Sequence, residues 1–386
     1  MKKNLFLLAI VSLITLSACT SSVTMTDPGG ETVTTSATES ILATVPIASA
    51  VGEGTLSNAQ LPSFEVSTTR EFDVLSGVHG YIGVALIEHM NDYLPNRLAF
   101  SDREHETAEW IVATLLEMGF DNAQIEVQSF DVETETSSWW GSAMRMISWF
   151  EDAGYYDEVE FTGNSQNVIL TLPGRTSQTI ILGAHYDGMA NPGVSDNASG
   201  TVLLLENAYR MQHVNHYYTL QYVFFGAEEV GLIGAFYFTD QMSNEDIDNL
   251  VLMINADVIM DGPDLVFAIG NSDESFGVIS QNEVTETVKG IASILNANEG
   301  TDLISKPHAL FLPSDQLAFL RFDSPVMVFY ATHPVVYPEV FIGDVLHTPD
   351  DNLDFIMRYH PGRIERALRD FGLFLERITS SESLQQ

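Results

Sequence analysis

Three long apolar runs, each followed by acidic or histidine residues, constrain the fold of this chain more than any other feature. The runs are TIILGA at 179–184, TLQYVFFGA at 219–227 and NLVLMINA at 249–256. Segments this apolar are typical of buried parallel strands, because helices cover both faces of such a sheet. They are followed by His185, by Glu228 and Glu229, and by Asp257. Since the carboxyl ends of parallel strands open onto one crevice, we expect these side chains to converge there.

Strands and helices alternate along the rest of the chain, which predicts its fold class. A helix is expected to open at Ser101-Asp102 and to stop at Gly119, because capping residues flank apolar positions at helical spacing. Further predicted elements are strands around 123–130, from 167, near 265–269 and near 325–330, and helices near 197–211, 281–295 and 363–378. This order predicts an α/β domain, a three-layer α/β/α sandwich with a mostly parallel central sheet.

The first residues have the features of an exported bacterial lipoprotein. Lys2 and Lys3 precede a short apolar stretch that ends in Leu16-Ser17-Ala18-Cys19. The stretch is too short to span a bilayer comfortably, so residues 1–18 are predicted to be a secretory signal. Its end resembles a lipobox, which implies lipidation of Cys19 and an extracytoplasmic protein anchored to the membrane of the cell envelope only through that lipid. An ordinary signal peptide with a chance cysteine is the alternative.

The remaining chain divides by composition into a tether and one large domain. Residues 19–69 are rich in Ser, Thr, Gly and Ala, which is typical of a flexible segment. Residues 70–386 are predicted to form the domain, with an aromatic insertion around 131–164 that contains Trp139, Trp140 and Trp149. The insertion is interpreted either as an element packed on the domain or as a lid beside the substrate crevice.

The charge of the chain argues against two classes of partner. Its 53 acidic residues outnumber 16 lysines and arginines, which gives a formal net charge of −37. Such a surface repels the phosphates of nucleic acids and anionic lipid head groups, so neither is a predicted partner. Solubility in a salty or alkaline medium is a sufficient explanation for the excess of acid.

The residues that follow the apolar runs are of the types that bind zinc. Imidazole nitrogen and carboxylate oxygen are zinc ligands, and a catalytic site leaves one position open for water. Asp187 lies two residues after His185, so it could orient that imidazole and fix its tautomer. Asp196 is predicted to lie at the start of a helix, where a carboxylate is favoured. In the pair Glu228-Glu229, one residue could bind metal while the other serves as a base.

Five segments in the same order strengthen this interpretation. They read HYD at 185–187, SDNASG at 195–200, FFGAEEVGLIGA at 224–235, NAD at 255–257 and HTPDDNLD at 347–354. Together they resemble the di-zinc aminopeptidases of metallopeptidase family twenty-eight, over roughly residues 97 to 375. The resemblance implies a zinc exopeptidase-like fold in the large domain, peptide substrates cleaved at their amino terminus, and two zinc ions per chain. It assigns His185 and Asp257 to one ion, Glu229 and His347 to the other, Asp196 to both, and Glu228 as general base.

Two positions depart from the family pattern. Gln316 follows Ser314-Asp315 where the family usually has His, and Leu346 precedes the late His347 where several members have Tyr. Tyr330 and Tyr337 are the alternatives for stabilising an oxyanion. The same scaffold also supports glutaminyl cyclisation with one zinc, but those cyclases typically have Trp at the position of Leu346. A binding lipoprotein without catalysis is a third hypothesis. Such a protein would be expected to have lost a ligand or the base, whereas all of them are present here.

Overall fold

The computed structural model describes residues 78–133, 162–270, 282–306, 314–322, 324–333, 343–382 and 384, and the backbone of 23–26 and 32–35. The chain forms two compact units, Met1–Ser63 and Phe64–Gln386. In the first unit, strand β1 (Val23–Thr26) pairs antiparallel with β2 (Thr32–Thr35). Both strands lie within the predicted tether, and the predicted signal at 1–18 lies outside the described residues.

The second unit contains strands and helices in alternation. Its strands are β3 (Ile125–Val132), β4 (Gly163–Leu172), β5 (Thr179–His185), β6 (Thr219–Phe225), β7 (Leu250–Ala256), β8 (Asp264–Gly270), β9 (Leu303–Lys306) and β10 (Val326–Thr332). Its described helices are α1 (Tyr81–Tyr93), α2 (Asp102–Glu117), α3 (Ser199–Met211), α4 (Ile233–Gln241), α5 (Asn244–Asn249), α6 (Glu283–Asn298), α7 (Leu353–Tyr359) and α8 (Arg363–Thr379). The predicted strands and helices are present, and their boundaries differ from the predicted ones by a few residues.

One eight-stranded sheet organises this unit, in the order β3-β4-β6-β5-β7-β10-β8-β9. The four central strands, β6, β5, β7 and β10, are parallel to their neighbours within that group. On one side β4 and β3 add antiparallel strands, and on the other β8 is antiparallel to β10. The predicted mostly parallel central sheet is therefore confirmed, with antiparallel pairs confined to its flanks.

Helices cover both faces of the sheet. Alternate residues of one strand point to opposite faces, and accordingly Leu182 belongs to the larger apolar cluster and Ile181 to the smaller one. The larger cluster includes residues from α1, α2, α3, α6 and α8. In the smaller cluster, Phe225 of β6 contacts Phe238 of α4 and Phe319 of the short turn Asp315–Phe319. This arrangement confirms the predicted α/β/α sandwich.

Local signals explain the ends of helix α2. The Ser101 side chain accepts a hydrogen bond from the backbone N–H of Glu104 and so caps its first turn. Gly119 follows the helix with a positive φ of 96°, a conformation that glycine adopts without steric cost. Strands β3 and β4 occupy both margins of the predicted aromatic insertion, whose residues 134–161 lie outside the described part of the chain. Across the described residues, no helix is long and apolar enough to cross a membrane.

Candidate metal centre

The ends of three adjacent parallel strands bring four of the predicted site residues together. His185 is the last residue of β5, Glu228 and Glu229 follow β6, and Asp257 follows β7. Their exposed fractions are only 1%, 9%, 8% and 4%. Because these strands run in the same direction, their carboxyl ends open into one crevice, as the sequence predicted.

Two imidazoles face the two carboxylate oxygens of Asp196. The Nε2 atom of His185 lies 3.3 Å from Asp196 Oδ1, and the Nε2 atom of His347 lies 3.0 Å from Asp196 Oδ2. His185 Nε2 is also 3.1 Å from Asp257 Oδ1, and His347 Nε2 is 3.2 Å from Glu229 Oε2. Of the five side chains predicted to bind metal, Asp196 thus lies between two pairs, His185 with Asp257 and His347 with Glu229.

Asp196 lies in an irregular turn that leads directly into helix α3. The turn is Val194–Ala198, where Asp196 has φ −117° and ψ 94°, and α3 begins only at Ser199. Asn197 anchors the turn: its Nδ2 donates to Ala256 O at the end of β7, and its Oδ1 accepts from the backbone N–H of Gly200. The predicted start of this helix, near residue 197, differs from the observed one by two residues, and Asp196 lies in the turn that leads into the helix.

Asp187 holds the pair of glutamates in place. Its two oxygens accept hydrogen bonds from the backbone N–H groups of Glu228, at 3.0 Å, and Glu229, at 3.1 Å. Its Oδ1 lies 3.5 Å from Nδ1 of His185, longer than a normal hydrogen bond. Asp187 was predicted to orient His185; in the structure its hydrogen bonds fix the loop that carries Glu228 and Glu229.

A second buried acid supports the same loop. Glu104 of α2 accepts hydrogen bonds from the backbone N–H groups of Ala227, at 2.9 Å, and Phe100, at 2.6 Å, and from the Ser165 hydroxyl at 2.7 Å. Ala227 has a positive φ of 54°, so the chain turns sharply just before Glu228. No sequence pattern indicates this role of Glu104, because its helix is far from Ala227 along the chain and no local motif surrounds it.

A buried arginine holds the loop between His185 and Asp196. Arg97 is fully buried, and its guanidinium donates to the carbonyl oxygens of Tyr186 at 2.7 Å, Pro192 at 2.8 Å and Gly193 at 2.8 Å. It also donates to Leu94 O at 3.0 Å. All these acceptors are backbone carbonyl oxygens. The guanidinium group of Arg97 therefore lies near the described acidic residues of the site but forms no ion pair with any of them.

Burial dominates the electrostatics of the carboxylates. It raises the pKa of Glu228 well above its usual range, helped by neighbouring acids, and it raises the pKa of Glu229 to about 7. Burial also favours the neutral form of Asp196, but hydrogen bonds from His185 and His347 hold its pKa below the ordinary value. Burial lowers the pKa of both imidazoles, but the surrounding carboxylates raise it by more, so the net pKa of each is raised. This balance shows that the site has an excess of negative charge.

The donor set fits divalent cations. Two overlapping groups, His185–Asp196–Glu229 and His185–Glu228–Asp257, have potential ligand atoms within 4.8 Å of one another. Glu229 Oε1 and both oxygens of Asp315 are buried without a hydrogen-bond partner in the described part of the protein. Buried carboxylates are costly unless they are paired or bind a metal. Nitrogen and oxygen donors in this arrangement match the preferences of zinc.

Both departures from the family pattern have a structural account. Gln316 Oε1 and Ser314 Oγ each accept a hydrogen bond from Asn255 Nδ2, at 2.9 Å, so glutamine supports the end of β7 next to Asp257. Leu346 packs against the apolar cluster that contains Tyr330, which is 2% exposed. Burial in that cluster does not favour Tyr330 as an oxyanion ligand, and Tyr337 lies outside the described residues.

A known protein family matches slightly more than half of the chain. The model for Peptidase family M28 matches residues 167–372. A probable leucine aminopeptidase of Trichophyton verrucosum is 29% identical over 215 residues, which cover 49% of this chain and 51% of that protein. The chain therefore spans about half the length of this curated relative.

Solved structures share the fold. A zinc aminopeptidase of Bacillus subtilis has a TM-score of 0.59 at 16% identity, covering 80% of this chain and 97% of that one. A glutaminyl cyclase of an Acidobacteriales bacterium has a TM-score of 0.55 at 19% identity, covering 78% of this chain and 95% of that one. At such low identities the likeness concerns the fold alone.

Proposed function

Because this chain belongs to peptidase family M28, we propose that it is a zinc-dependent aminopeptidase that removes amino-terminal residues from peptides. The single observation that carries this proposal is the position of Asp196, whose two oxygens face the imidazoles of His185 and His347. A shared carboxylate between two sets of ligands is what a pair of closely spaced metal ions requires.

In this proposal His185 and Asp257 would hold one zinc ion, Glu229 and His347 would hold the other, and Asp196 would contribute to both sites. When bound, such a pair lowers the pKa of a water molecule to about 7 and polarises the scissile carbonyl group. The protein contributes a rigid set of ligands, because Asp187 fixes the backbone of Glu229 and Arg97 fixes the loop that leads to Asp196.

Glu228 is the proposed general base. It would accept the proton of the attacking water at a carboxylate oxygen and deliver it to the leaving amine. Burial raises the pKa of Glu228 above its ordinary value, which makes its carboxylate a stronger proton acceptor. The hydrogen bond that its backbone N–H donates to Asp187 fixes the backbone from which the Glu228 side chain extends.

The proposed substrates are peptides with a free amino terminus. The site contains more buried carboxylates than basic side chains, and an α-ammonium group is attracted to such an environment. We also propose that the enzyme is an extracytoplasmic lipoprotein anchored through Cys19. This part rests on the sequence of the first 19 residues, since the structure does not describe them.

Glutaminyl cyclisation is the second candidate, because a cyclase shares the fold. Leu346 at the position where those cyclases typically have Trp argues against it. A binding lipoprotein without catalysis is less favoured, because the structure keeps all five proposed ligands and Glu228 within one crevice.

Metal analysis combined with three substrates tests the proposal. Purified full-length protein is expected to hold two zinc ions and to hydrolyse leucine p-nitroanilide but not its N-acetylated form, which lacks the free amine. Cyclisation of a peptide with amino-terminal Gln, together with a single zinc, would favour the cyclase. Two bound zinc ions without turnover of any peptide would favour the binding protein.

A further inference from the structure

The loop that carries His347 is the least enclosed part of the metal centre. His347 lies in neither a helix nor a strand, and its φ of 54° is unusual for a residue with a side chain. Its side chain is 32% exposed, whereas that of Asp196 is 6% exposed. The position of this imidazole therefore depends on the contacts that hold the loop.

Asp261 holds the loop directly before His347. It is fully buried, and its Oδ1 accepts hydrogen bonds from three successive backbone N–H groups, those of Asp344 (2.9 Å), Val345 (2.6 Å) and Leu346 (3.2 Å). Its own carbonyl oxygen also accepts from the backbone N–H of Asp344, at 2.8 Å. A carboxylate that accepts several N–H groups forms stronger bonds than a neutral acceptor.

Gly343 makes this close approach possible. A Cβ atom built at Gly343 would lie 1.5 Å from Oδ2 of Asp261, a distance at which the carboxylate would have to move. Oδ2 has no hydrogen-bond partner in the part of the chain that the structure describes. The contact between the loop and Asp261 thus depends on an acidic side chain at position 261 and on glycine at position 343.

The far end of the loop has a different attachment. Asp351 accepts hydrogen bonds from the backbone N–H groups of Ser195, at 2.6 Å, and Asp196, at 3.0 Å. It therefore contacts the residue proposed to bind both metals. Within the described residues, the hydrogen bonds that Asp261 accepts come from the loop of His347, a ligand proposed for one metal only.

We propose that Asp261 is a positioning residue that determines zinc affinity at one of the two sites, the one formed by Glu229 and His347. It acts through the backbone of residues 344–346 and touches no metal. This inference rests on the proposed function. It predicts that loss of the carboxylate weakens the Glu229–His347 site and leaves the His185–Asp257 site unchanged, because preorganisation of a ligand contributes to metal affinity.

Stepwise zinc titration of chelator-treated full-length protein tests the proposal, with Asp261→Asn as the main variant. Asparagine keeps the shape but loses the charge, so one binding step is expected to weaken by about 10- to 100-fold. His347→Ala, which removes a ligand of the same site, identifies that step. Hydrogen exchange at the amides of residues 344–346 is expected to accelerate in Asp261→Asn, a readout independent of activity.

Glu206→Gln is the matched control. Glu206 is also buried and accepts two backbone N–H groups, those of Gly80 at 2.8 Å and Gly83 at 2.7 Å, but these belong to the start of α1. It should leave both zinc steps at their wild-type affinity. Gly343→Ala provides a second variant, since its methyl group should displace Asp261 and weaken the same single step.

The possible results separate this inference from the proposed function. Equal weakening of both steps in Asp261→Asn, or no weakening in either variant, would overturn the role of Asp261 while leaving the two-metal proposal intact. Binding of fewer than two zinc ions by the wild-type protein would instead overturn the proposed function. If Asp261→Asn weakened one zinc-binding step and His347→Ala weakened the other, Asp261 would act on the other metal site, and the inference would be refuted.

Discussion

Nε2 of His185 lies 3.1 Å from Oδ1 of Asp257, although the two residues are 72 positions apart in the sequence. The sheet explains this contact. Strands β5 and β7 are parallel neighbours in which Gly183 is paired with Asn255, and His185 and Asp257 each lie two residues beyond that pair. The carboxyl ends of both strands therefore bring an imidazole and a carboxylate to the same point of the crevice.

Replacement of Glu228 separates catalysis from metal binding. Glu228→Gln is expected to keep two zinc ions and the fold while kcat falls at least about 100-fold, because the amide cannot accept the proton. Steady-state kinetics with leucine p-nitroanilide and metal analysis measure the two effects. Glu229→Gln is the control, in which metal binding should fall as well. A near-native rate in Glu228→Gln, or loss of metal from it, would contradict the assignment of Glu228 as base.

Replacement of Asp196 should affect both metals. Asp196→Asn is expected to weaken both zinc-binding steps, because its two oxygens face His185 and His347 separately. Asp257→Asn is the comparison variant. It should weaken only one zinc-binding step, because Asp257 lies next to the imidazole of His185 and not next to that of His347. Zinc titration distinguishes the variants. If only one step changed in Asp196→Asn, the bridging role would be wrong.

The buried Glu104 should make stability depend on pH. Burial, reinforced by Asp187, raises the pKa of Glu104 from 4.5 to about 8. Between these values the folded protein keeps a proton that the unfolded chain has released, so the free energy of unfolding falls as the pH rises. The slope is roughly 1.4 kcal/mol per pH unit for one such group.

Comparison with Glu104→Gln isolates this contribution. Urea unfolding in the presence of a chelator, from pH 5 to pH 8, should show wild-type stability falling relative to the variant over that window, and the difference should level off above about pH 8. Parallel curves for the two proteins across the same window would mean that Glu104 is ionised in the folded state, with its three hydrogen bonds outweighing the cost of burial.

Two helical glycines are expected to respond oppositely to alanine. A Cβ at Gly200 would lie 2.1 Å from the carbonyl oxygen of Ala256, so Gly200→Ala should destabilise the protein by about 1–3 kcal/mol. Gly290 has nothing within 4 Å of its Cβ position in α6, so Gly290→Ala should stabilise the protein by about 0.5–1 kcal/mol. Thermal and chemical unfolding measure both changes. Gly200→Ala with wild-type stability would show that α3 can move away from β7.

Particular residues show why some of the site was predictable from the sequence. His185, Glu228, Glu229 and Asp257 could be identified because each follows an apolar run, and the direction of parallel strands then brings them together. Their neighbours Arg97, Glu104 and Asp261 carry no such signal. Asp315 had a signal, since it lies in a segment that resembles the family, but nothing in the sequence indicated that both its oxygens would be buried beside Glu228.

The sequence alone determined the α/β layering and the order in which ligands reach the crevice, because both follow from hydrophobic periodicity and strand direction, which are local properties. Only the tertiary structure decided which atoms meet. It placed Asp196 in a turn before α3, directed Asp187 to the backbone of the two glutamates, and brought Asp261 under the loop of His347. These contacts join residues far apart in the chain through a few hydrogen bonds each, and no periodic pattern of side chains predicts such pairings.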